Sequence, residues 1–558
     1  MATGKSESSG NRQILSIMLF LIILCGVLFF LKLGGTPLLE EDEPRNAEAA
    51  REMIQLKSWV TPYFNFAPRY EKPVMIYWLM IGAYKVFGVN EFSARFWSAV
   101  FAVLLVIITF LFVKRFLGIR AGLLSAIVLA TSSLIVFLAR FANTDMTLIF
   151  FITSSLYCFF LAYSAPDLKF RNWYYGMYAA MGFAALTKGP VGIGIPAVII
   201  LIFLLLNRDC IRFFKEGKLL TGILLFLLIA VPWYALMIRE NGMTYVNQFF
   251  IGEHIKRYSE PSSGHGGNLI LYLPYYIGVI ALTFFPWSGF LPFSFLKTKN
   301  EIKSKSLQGK FIQFNFVWLL FVFALFTLSE TKLPHYIAPL FPAMAIFIGK
   351  YLDENFFDEE SVRSIRFSFA LIIILGLLFT AVMLAIYSFA PKIGKNIDPA
   401  GNLVVNVGPG PVVIAAGYLI CGLIGFILWK IGRKDISFLA ILGGIILSQL
   451  ATFLLLEPAV SQYWQAPWCN LAEIAGMRSA LYSRHVTLAA YDLGSAGVVY
   501  YSKRHVEIID NDDTKGLKDI LTGKPPVYVI TKSKDRNIFL KNGFKEVSQD
   551  TGSVLLMK

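Results

Sequence analysis

The sequence of 558 residues is poor in charge and in cysteine. Only 16% of its residues are charged, whereas 56% are hydrophobic and 15% are aromatic, a balance that differs from that of soluble proteins. The five cysteines form no CxxC pair and no paired framework, so the sequence suggests neither disulfides nor a cysteine metal site. Low-complexity tracts, heptads and internal repeats are also lacking. The composition therefore favours a polytopic α-helical membrane protein.

The formal net charge of +15 is the one feature that could indicate a nucleic-acid-binding protein. The basic residues, however, fall mostly in short segments between apolar runs, where they set the orientation of a membrane protein. We therefore expect no nucleic-acid partner.

The apolar runs predict about thirteen transmembrane helices, because each could cross roughly 30 Å of hydrocarbon. They begin near residues 14, 93, 121, 145, 172, 190, 219, 269, 311, 333, 366, 411 and 436. No small-residue cleavage site follows the first run, which favours a retained helix over a signal peptide.

The basic segments between these runs fall on alternate sides of successive helices, and the positive-inside rule places them in the cytoplasm. The external side then holds juxtamembrane helices within 42–90, the loop 239–268 and the tail. We expect a transmembrane domain over residues 1–456 and a soluble α/β domain over residues 457–558, where helical and strand-like stretches alternate.

The segment after the first apolar run is dense in charge and predicts an amphipathic helix on the membrane surface. Its outer charges, Glu48, Arg51 and Glu52, fit a solvated helix held by ion pairs between neighbouring turns. Asp42 and Arg45 lie nearer the bilayer, where charges are costly unless they are paired or used.

Other charged residues interrupt the apolar runs on the same predicted face. Lys72 could be a snorkelling anchor beside a short interfacial helix, and Asp145 could be a helix cap. Lys188 stands in a Gly-Pro turn that does not require a lysine. The polar residues that converge on this face from different loops, and that we expect to form one substrate site, are Asp42, Arg45, Lys72, Asp145, Lys188, His254, Arg257, Lys332 and Tyr336.

Several cations with few carboxylates at a membrane boundary suit a phosphate attached to a lipid. An aspartate is repelled by a phosphate, so its presence there indicates that it handles a proton or orients an acceptor. Glycosyl transfer from a lipid phosphate would use both kinds of group.

These residues stand in motifs that resemble one family in order over roughly residues 10–350. The family comprises bacterial 4-amino-4-deoxy-L-arabinose lipid A transferases, which are C-type (GT-C) glycosyltransferases related to protein O-mannosyltransferases. The matching motifs are Asp42-Glu-Pro-Arg-Asn-Ala-Glu48, Arg69-Tyr-Glu-Lys-Pro73, Asn90-Glu-Phe-Ser-Ala-Arg95, Asn143-Thr-Asp-Met146, Thr187-Lys-Gly-Pro190, Glu253-His-Ile-Lys-Arg-Tyr258 and Lys332-Leu-Pro-His-Tyr-Ile-Ala-Pro339.

The resemblance implies an inverting transferase of the bacterial inner membrane that takes a sugar from undecaprenyl phosphate, faces the periplasm and modifies a lipid A phosphate. It implies that Asp42 and Asp145 are the catalytic acids. It also implies phosphate contacts by Arg45, Lys72, Lys188, Arg257 and Tyr336. Glu71 and His254 match positions that could hold a divalent cation such as zinc, although they supply only half of a zinc shell. We expect a monomer.

The sequence departs from the family beside the predicted catalytic acid, and this leaves the sugar open. Pro44 and Asn46 stand where the family usually has Thr and Tyr, and Pro73-Val74 replaces its Pro-Pro. The acceptor also stays open, because a hydroxyl acceptor, as in protein O-mannosyltransferase-like enzymes, would make Asp42 a general base. A lipid or solute transporter is the alternative from another class, but transporters usually place coupling residues near the midplane within internal repeats.

Overall fold

The computed structural model describes residues 2–39, 41–166, 171–256, 269–357, 362–397, 405–481 and 486–558. Nine helices within these ranges are long and apolar enough to cross a membrane: Asn11–Phe30, Glu91–Leu117, Thr144–Tyr163, Pro190–Asn207, Leu219–Phe249, Leu307–Leu328, Val362–Lys392, Gly410–Lys430 and Lys434–Trp464. The pair Ile119–Ala130 and Ser133–Ala139, bent by 65°, gives a tenth if it is one span. A polytopic helical membrane protein is confirmed.

The remaining three predicted spans are helical but shorter than a full crossing. They are Trp173–Lys188, Leu269–Thr283 and Phe341–Tyr351, with 16, 15 and 11 residues. At about 1.5 Å per residue, even the first covers only about 24 Å. The 3-10 helix Pro334–Leu340 takes the place of the predicted start of the last one. The count of about thirteen spans is therefore not confirmed.

Two juxtamembrane helices follow the first span, as the sequence predicts. Juxtamembrane helix 1 is Asp42–Gln55, and juxtamembrane helix 2 is Met75–Phe87. Between them, Tyr63–Phe64 pairs with Ala67–Pro68 in a short antiparallel hairpin. Shorter helices elsewhere are Cys210–Glu216, Asn247–Lys256, Leu291–Thr298 and Leu352–Phe356.

The tail folds as an α/β domain around a five-stranded sheet. In spatial order the strands are Glu507–Ile509, Thr487–Tyr491, Val527–Lys532, Ser553–Met557 and Lys545–Asp550. The first three are parallel to one another, and Ser553–Met557 is antiparallel to both of its neighbours. The helices are Glu457–Trp464, which continues the last span, and Ala466–Ala480, Ser495–Ser502, Thr514–Thr522 and Arg536–Leu540. The predicted C-terminal α/β fold is thus present.

The tail domain shares one hydrophobic core with the two juxtamembrane helices. Met53 and Tyr77 from these helices are buried in the same apolar cluster as Leu471, Val498 and Ile530 from the tail. Burial of a continuous apolar surface fixes the domain against the helices. The segment that carries the predicted site is therefore held between the membrane helices and the tail.

Candidate active site

Asp145 forms an ion pair at the start of the Thr144–Tyr163 helix. The helix cap is its neighbour Asn143, whose Oδ1 accepts a hydrogen bond from Thr144 N at 2.7 Å, so the interpretation of Asp145 as the cap is wrong. The Asp145 carboxylate, 4% exposed, accepts hydrogen bonds from Lys188 Nζ at 2.5 Å and Asn143 Nδ2 at 3.1 Å. His335 Nε2 lies 3.4 Å from its Oδ2. A buried carboxylate is thus neutralised by a lysine from another helix.

A cavity of about 180 Å³ opens at this ion pair. Its lining brings together residues from five separate segments of the chain: Glu71, Lys72, Pro73, Phe249, Asp145, Leu148, Ile149, Lys188, Val191, Phe326, Ser329, Thr331, His335, Tyr336 and Pro339. The Lys188 ammonium also lies 5.0 Å from the centre of the Tyr336 ring. Lys72, Asp145, Lys188 and Tyr336, which the sequence predicts to converge, therefore face one cavity.

Lys72 is the cation that the cavity leaves available. Within the described part of the chain its ammonium makes no hydrogen bond and no ion pair, whereas Lys188 is paired with Asp145. Burial and the charge of Lys188 lower the pKa of Lys72, and the negative charges of Asp42 and Asp145 oppose that shift. A half-buried ammonium without a partner is costly, so an anionic ligand would relieve the cost.

Asp42 is the first residue of juxtamembrane helix 1 and does not itself line the cavity. Its negative charge nevertheless acts on Lys72, Lys188 and His335. Within the described residues, its carboxylate makes no hydrogen bond and no ion pair. Asp42 therefore lies beside the cavity, and its carboxylate oxygens have no hydrogen bond or ion pair with any described residue.

Glu43, next to Asp42, fixes the start of juxtamembrane helix 1. Its buried carboxylate accepts hydrogen bonds from Arg95 Nε at 2.8 Å and Nη2 at 2.6 Å, and from the backbone N–H groups of Leu39 and Ala142, each at 2.6 Å. Arg95 in turn donates to the carbonyl oxygens of Leu33, Thr36 and Pro37. This pair ties the segment before Asp42 to the loop before Asp145, a role that the sequence does not reveal, since the two residues lie far apart in the chain.

Asn46 and Arg69 form a second link between these segments. Asn46 Nδ2 donates to the carbonyl oxygen of Ala142 at 3.2 Å, and Arg69 Nη1 donates to Asn46 Oδ1 at 3.1 Å. Arg69 also donates to Glu71 Oε2 through Nε at 3.2 Å and Nη2 at 3.0 Å. The chain of contacts orients the loop that carries Lys72.

Two predicted phosphate ligands lie away from the cavity lining. Arg45 pairs with Glu41 at 3.2 Å and stacks on Phe64, while its buried Nε has no hydrogen-bond partner in the part of the chain that the structure describes. Lys332 donates to the carbonyl oxygens of Thr327 and Ser329, each at 2.7 Å, at the end of the Leu307–Leu328 helix. A cation at a helix C-terminus satisfies its free carbonyls. Their phosphate contacts stay predictions.

The proposed metal ligands do not make a metal centre in the described part of the chain. Glu71 reaches the cavity, but its Oε2 is engaged by the Arg69 guanidinium. No group of three or more His, Cys, Asp or Glu side chains that could hold a metal occurs among the described residues. The side chain of His254, and all of Arg257, lie outside them. The Arg69 guanidinium would repel a metal ion at Glu71, so the described residues do not fit a bound metal.

His335 is the cavity residue that the sequence prediction missed. Burial lowers its pKa, with Asp145 opposing and Lys188 adding to the shift, so the imidazole is neutral at pH 7. Its ring meets that of Tyr336 edge to face with centroids 5.0 Å apart. The signal that could have identified it was its position beside Tyr336 in the Lys332–Pro339 motif.

The outer charges of juxtamembrane helix 1 are buried, so the prediction of a solvated helix is wrong. Arg51 donates to both oxygens of Glu48, which confirms the predicted ion pair, but Glu48 and Glu52 are each 0% exposed. Glu52 Oε2 accepts a hydrogen bond from Phe66 N at 2.9 Å, whereas no described residue donates a hydrogen bond to Oε1. Burial, with Glu48 nearby, raises the pKa of Glu52 to about 8. Packing against the tail helix Ser495–Ser502 explains the burial.

Residues 71–235 match the family described as dolichyl-phosphate-mannose-protein mannosyltransferase. An uncharacterized protein of Aquifex aeolicus is 31% identical over 386 residues, which are 68% of this chain and 83% of that protein. The undecaprenyl phosphate-alpha-4-amino-4-deoxy-L-arabinose arabinosyl transferase of Edwardsiella ictaluri is 28% identical over 64% of this chain. The match spans only 63% of that transferase, which is less than two thirds of its length.

The fold is similar to a crystal structure of ArnT from Cupriavidus metallidurans bound to undecaprenyl phosphate. The TM-score is 0.75 at 23% sequence identity, and the match covers 97% of each chain. The likeness includes both the membrane helices and the tail domain, because so little of either chain is left unmatched.

Proposed function

Because the chain belongs to the aminoarabinose transferase family of C-type glycosyltransferases, related to protein O-mannosyltransferases, we propose that it moves 4-amino-4-deoxy-L-arabinose from undecaprenyl phosphate to a lipid A phosphate. The protein is a multi-pass inner-membrane glycosyltransferase. Its proposed active site and tail domain face the periplasm, since the basic segments predict the opposite side to be cytoplasmic. We infer a monomer.

The observation that carries this proposal is the cavity in which Lys72 has no hydrogen-bond or ion-pair partner among the described residues, while Lys188 is neutralised by Asp145. A phosphate placed there would gain a charge-assisted hydrogen bond to Lys72 and a second cation in Lys188. Arg257 is the third cation that we assign to the donor phosphate, and Tyr336 supplies a hydroxyl and an aromatic face. Lipid-linked phosphates suit this combination of cations and apolar walls.

In the proposed reaction, an oxygen of the acceptor phosphate attacks C1 of the sugar from the face opposite the leaving group. The bond from C1 to the undecaprenyl phosphate oxygen breaks, and its electron pair stays on that oxygen, so the configuration at C1 inverts. Lys72 and Lys188 stabilise the negative charge that develops on the departing phosphate. Asp145 holds Lys188 in place through their 2.5 Å contact.

Asp42 is assigned to the sugar side of this reaction. An acceptor phosphate is already anionic and needs no general base, so the Asp42 carboxylate would stabilise the positive charge on the oxocarbenium-like sugar. Its uncommitted oxygens and its effect on Lys72 and His335 support this assignment. Arg45, whose Nε has no hydrogen-bond partner among the described residues, is assigned to the acceptor phosphate.

The match to a mannosyltransferase family favours a second candidate, transfer to a hydroxyl of a protein or glycan. Asp42 would then take the proton of the attacking hydroxyl. The two candidates share the donor phosphate site and differ only in the acceptor.

The test is to incubate the purified protein with undecaprenyl-phosphate aminoarabinose and lipid A, and to measure the mass of lipid A. Addition of one aminoarabinose to a phosphate is expected from the wild type and should be abolished by Asp42→Asn. Glu52→Gln is the matched control, because glutamine reproduces a protonated Glu52, and it should retain transfer. Equal transfer by Asp42→Asn would remove the role of Asp42, and sugar found on protein or glycan would establish the second candidate.

A further inference from the structure

We propose that the tail domain positions the catalytic carboxylate of Asp42 through its neighbour Glu41, so that Glu41 and the start of the tail helix Ser495–Ser502 belong to the working active site. The inference rests on the proposed function of Asp42. It assigns a task to the tail domain, none of whose described residues lines the cavity.

Glu41 joins the two parts of the protein through one carboxylate oxygen. Its Oε2 accepts a hydrogen bond from Ala496 N at 3.2 Å and another from Arg45 Nη2 at 3.2 Å. Ala496 is in the first turn of the tail helix, where free N–H groups and the helix dipole favour a negative charge. The tail thus holds the residue that directly precedes the catalytic acid.

The backbone of the tail makes room for this contact. A Cβ added to Gly494 would lie 2.8 Å from Glu41 Oε1, closer than a carbon and an oxygen can approach without displacement. A side chain at Gly494 would therefore displace the Glu41 carboxylate, which is the flexible end of a side chain that is 42% exposed. The glycine gives a second and purely steric way to disturb the contact from the tail side.

Further contacts fix the segment just before Glu41. Tyr501 of the same tail helix accepts a hydrogen bond from Leu38 N at 2.9 Å and donates to Glu91 Oε1 at 2.7 Å. Thr36 donates to Glu457 Oε1 at 2.6 Å. Because Glu43 and Arg95 fix the other side of Asp42, the acid lies between two anchored positions and has little freedom to move.

The expected effect on catalysis is specific, because the described contacts of the Glu41 carboxylate are with Arg45 and Ala496 and include neither Lys72 nor Lys188. Loss of the contact between Glu41 and Ala496 would misplace Asp42 and release Arg45. In the proposed reaction Asp42 acts on the sugar and Arg45 acts on the acceptor phosphate. The donor phosphate site would remain intact. A displacement of about 1 Å can cost about a hundredfold in rate, so kcat should fall while the affinity for undecaprenyl phosphate is kept.

The experiment compares Glu41→Ala and Gly494→Ala with Asn65→Ala in the full-length protein. Asn65 is the matched control, since it links juxtamembrane residues to the tail by two hydrogen bonds with Val506, at 2.8 and 2.9 Å, but not through the segment that leads to Asp42. The measurements are kcat and KM for sugar transfer, binding of undecaprenyl phosphate, and the unfolding temperature.

Glu41→Ala and Gly494→Ala should each lower kcat at least tenfold, with undecaprenyl phosphate binding within twofold of the wild type, and Asn65→Ala should keep kcat within twofold. Wild-type kcat in both test variants would overturn the inference. An equal fall in all three variants, accompanied by weaker binding and a lower unfolding temperature, would also overturn it, because that pattern indicates a merely structural role. Absence of transfer by the wild type would instead refute the proposed function.

Discussion

Replacing Glu43 with glutamine is expected to destabilise the protein by about 3–5 kcal/mol, the usual cost of removing one partner from a buried ion pair. The Glu43 and Arg95 side chains are 0% and 2% exposed, so water cannot replace the lost charge. Glutamine has nearly the same shape as glutamate, but its amide NH₂ group would face N–H donors that in the wild type point at a carboxylate oxygen. Arg95 keeps three carbonyl acceptors, which limits the loss to this range.

Urea unfolding of the purified protein in detergent measures this difference as a shift in the midpoint at constant slope. Glu546→Gln is the control, because Glu546 pairs with Arg536 at 3.1 Å on the exposed surface of the tail, where an ion pair contributes about 1 kcal/mol or less. Equal midpoints for Glu43→Gln and Glu546→Gln would refute the assignment of Glu43 as the anchor of juxtamembrane helix 1.

Three further outcomes are expected. Lys72→Met should weaken undecaprenyl phosphate binding at least tenfold. Lys332→Met should chiefly lower the unfolding temperature, because the carbonyl groups at the end of the Leu307–Leu328 helix lose their hydrogen-bond donor. Equal losses of undecaprenyl phosphate affinity in the two variants would contradict these separate roles of Lys72 and Lys332. The pKa of Glu52 is raised from 4.5 to about 8 in the folded state, so the stability that protonated Glu52 contributes is complete below pH 4.5 and is lost as pH rises toward 8. The unfolding temperature of the wild type should therefore fall between pH 4.5 and 8. Glu52→Gln lacks this titrating group and should lose this part of the fall. Gly192→Ala should destabilise the protein and reduce transfer, since its Cβ would lie 2.4 Å from the backbone of the preceding helix, which carries Lys188. Gly194→Ala, where no described atom lies within 4 Å of the added Cβ, should be neutral or slightly stabilising. Similar unfolding temperatures for the two variants would argue against tight packing at Gly192.

The sequence was sufficient to predict that Lys72, Asp145, Lys188 and Tyr336 meet at one cavity, but it did not indicate His335 or show that Arg45 and Lys332 lie away from the lining. Lys72, Asp145 and Lys188 stand out because apolar runs surround them, and charges in such places are rare unless they are used. The tail fold was also predictable, since strand-like and helical patterns alternate there. Both predictions depend on local pattern, which a single sequence contains.

The partner of each charge could not be predicted in this way. Glu43 lies beside Asp42, and composition does not distinguish the carboxylate that anchors the helix from the one that stays uncommitted. Arg95 is 52 residues away from Glu43 in the chain. Glu52 looked solvated because nothing in its own segment shows that the tail, more than four hundred residues later, covers it. Long-range packing decides these roles.

The contact between Glu41 and Ala496 has a consequence for biosynthesis. The ribosome makes Asp42, the proposed catalytic acid, near the beginning of the chain and Ala496, which binds its neighbour Glu41, near the end. Every membrane helix is therefore synthesised before Glu41 and Ala496 can meet. The pocket would then mature as the final event of assembly, and nascent or prematurely terminated chains would sit in the bilayer without acting on their lipid. Arrested chains of increasing length should gain transfer only after the Ser495–Ser502 helix has emerged and folded.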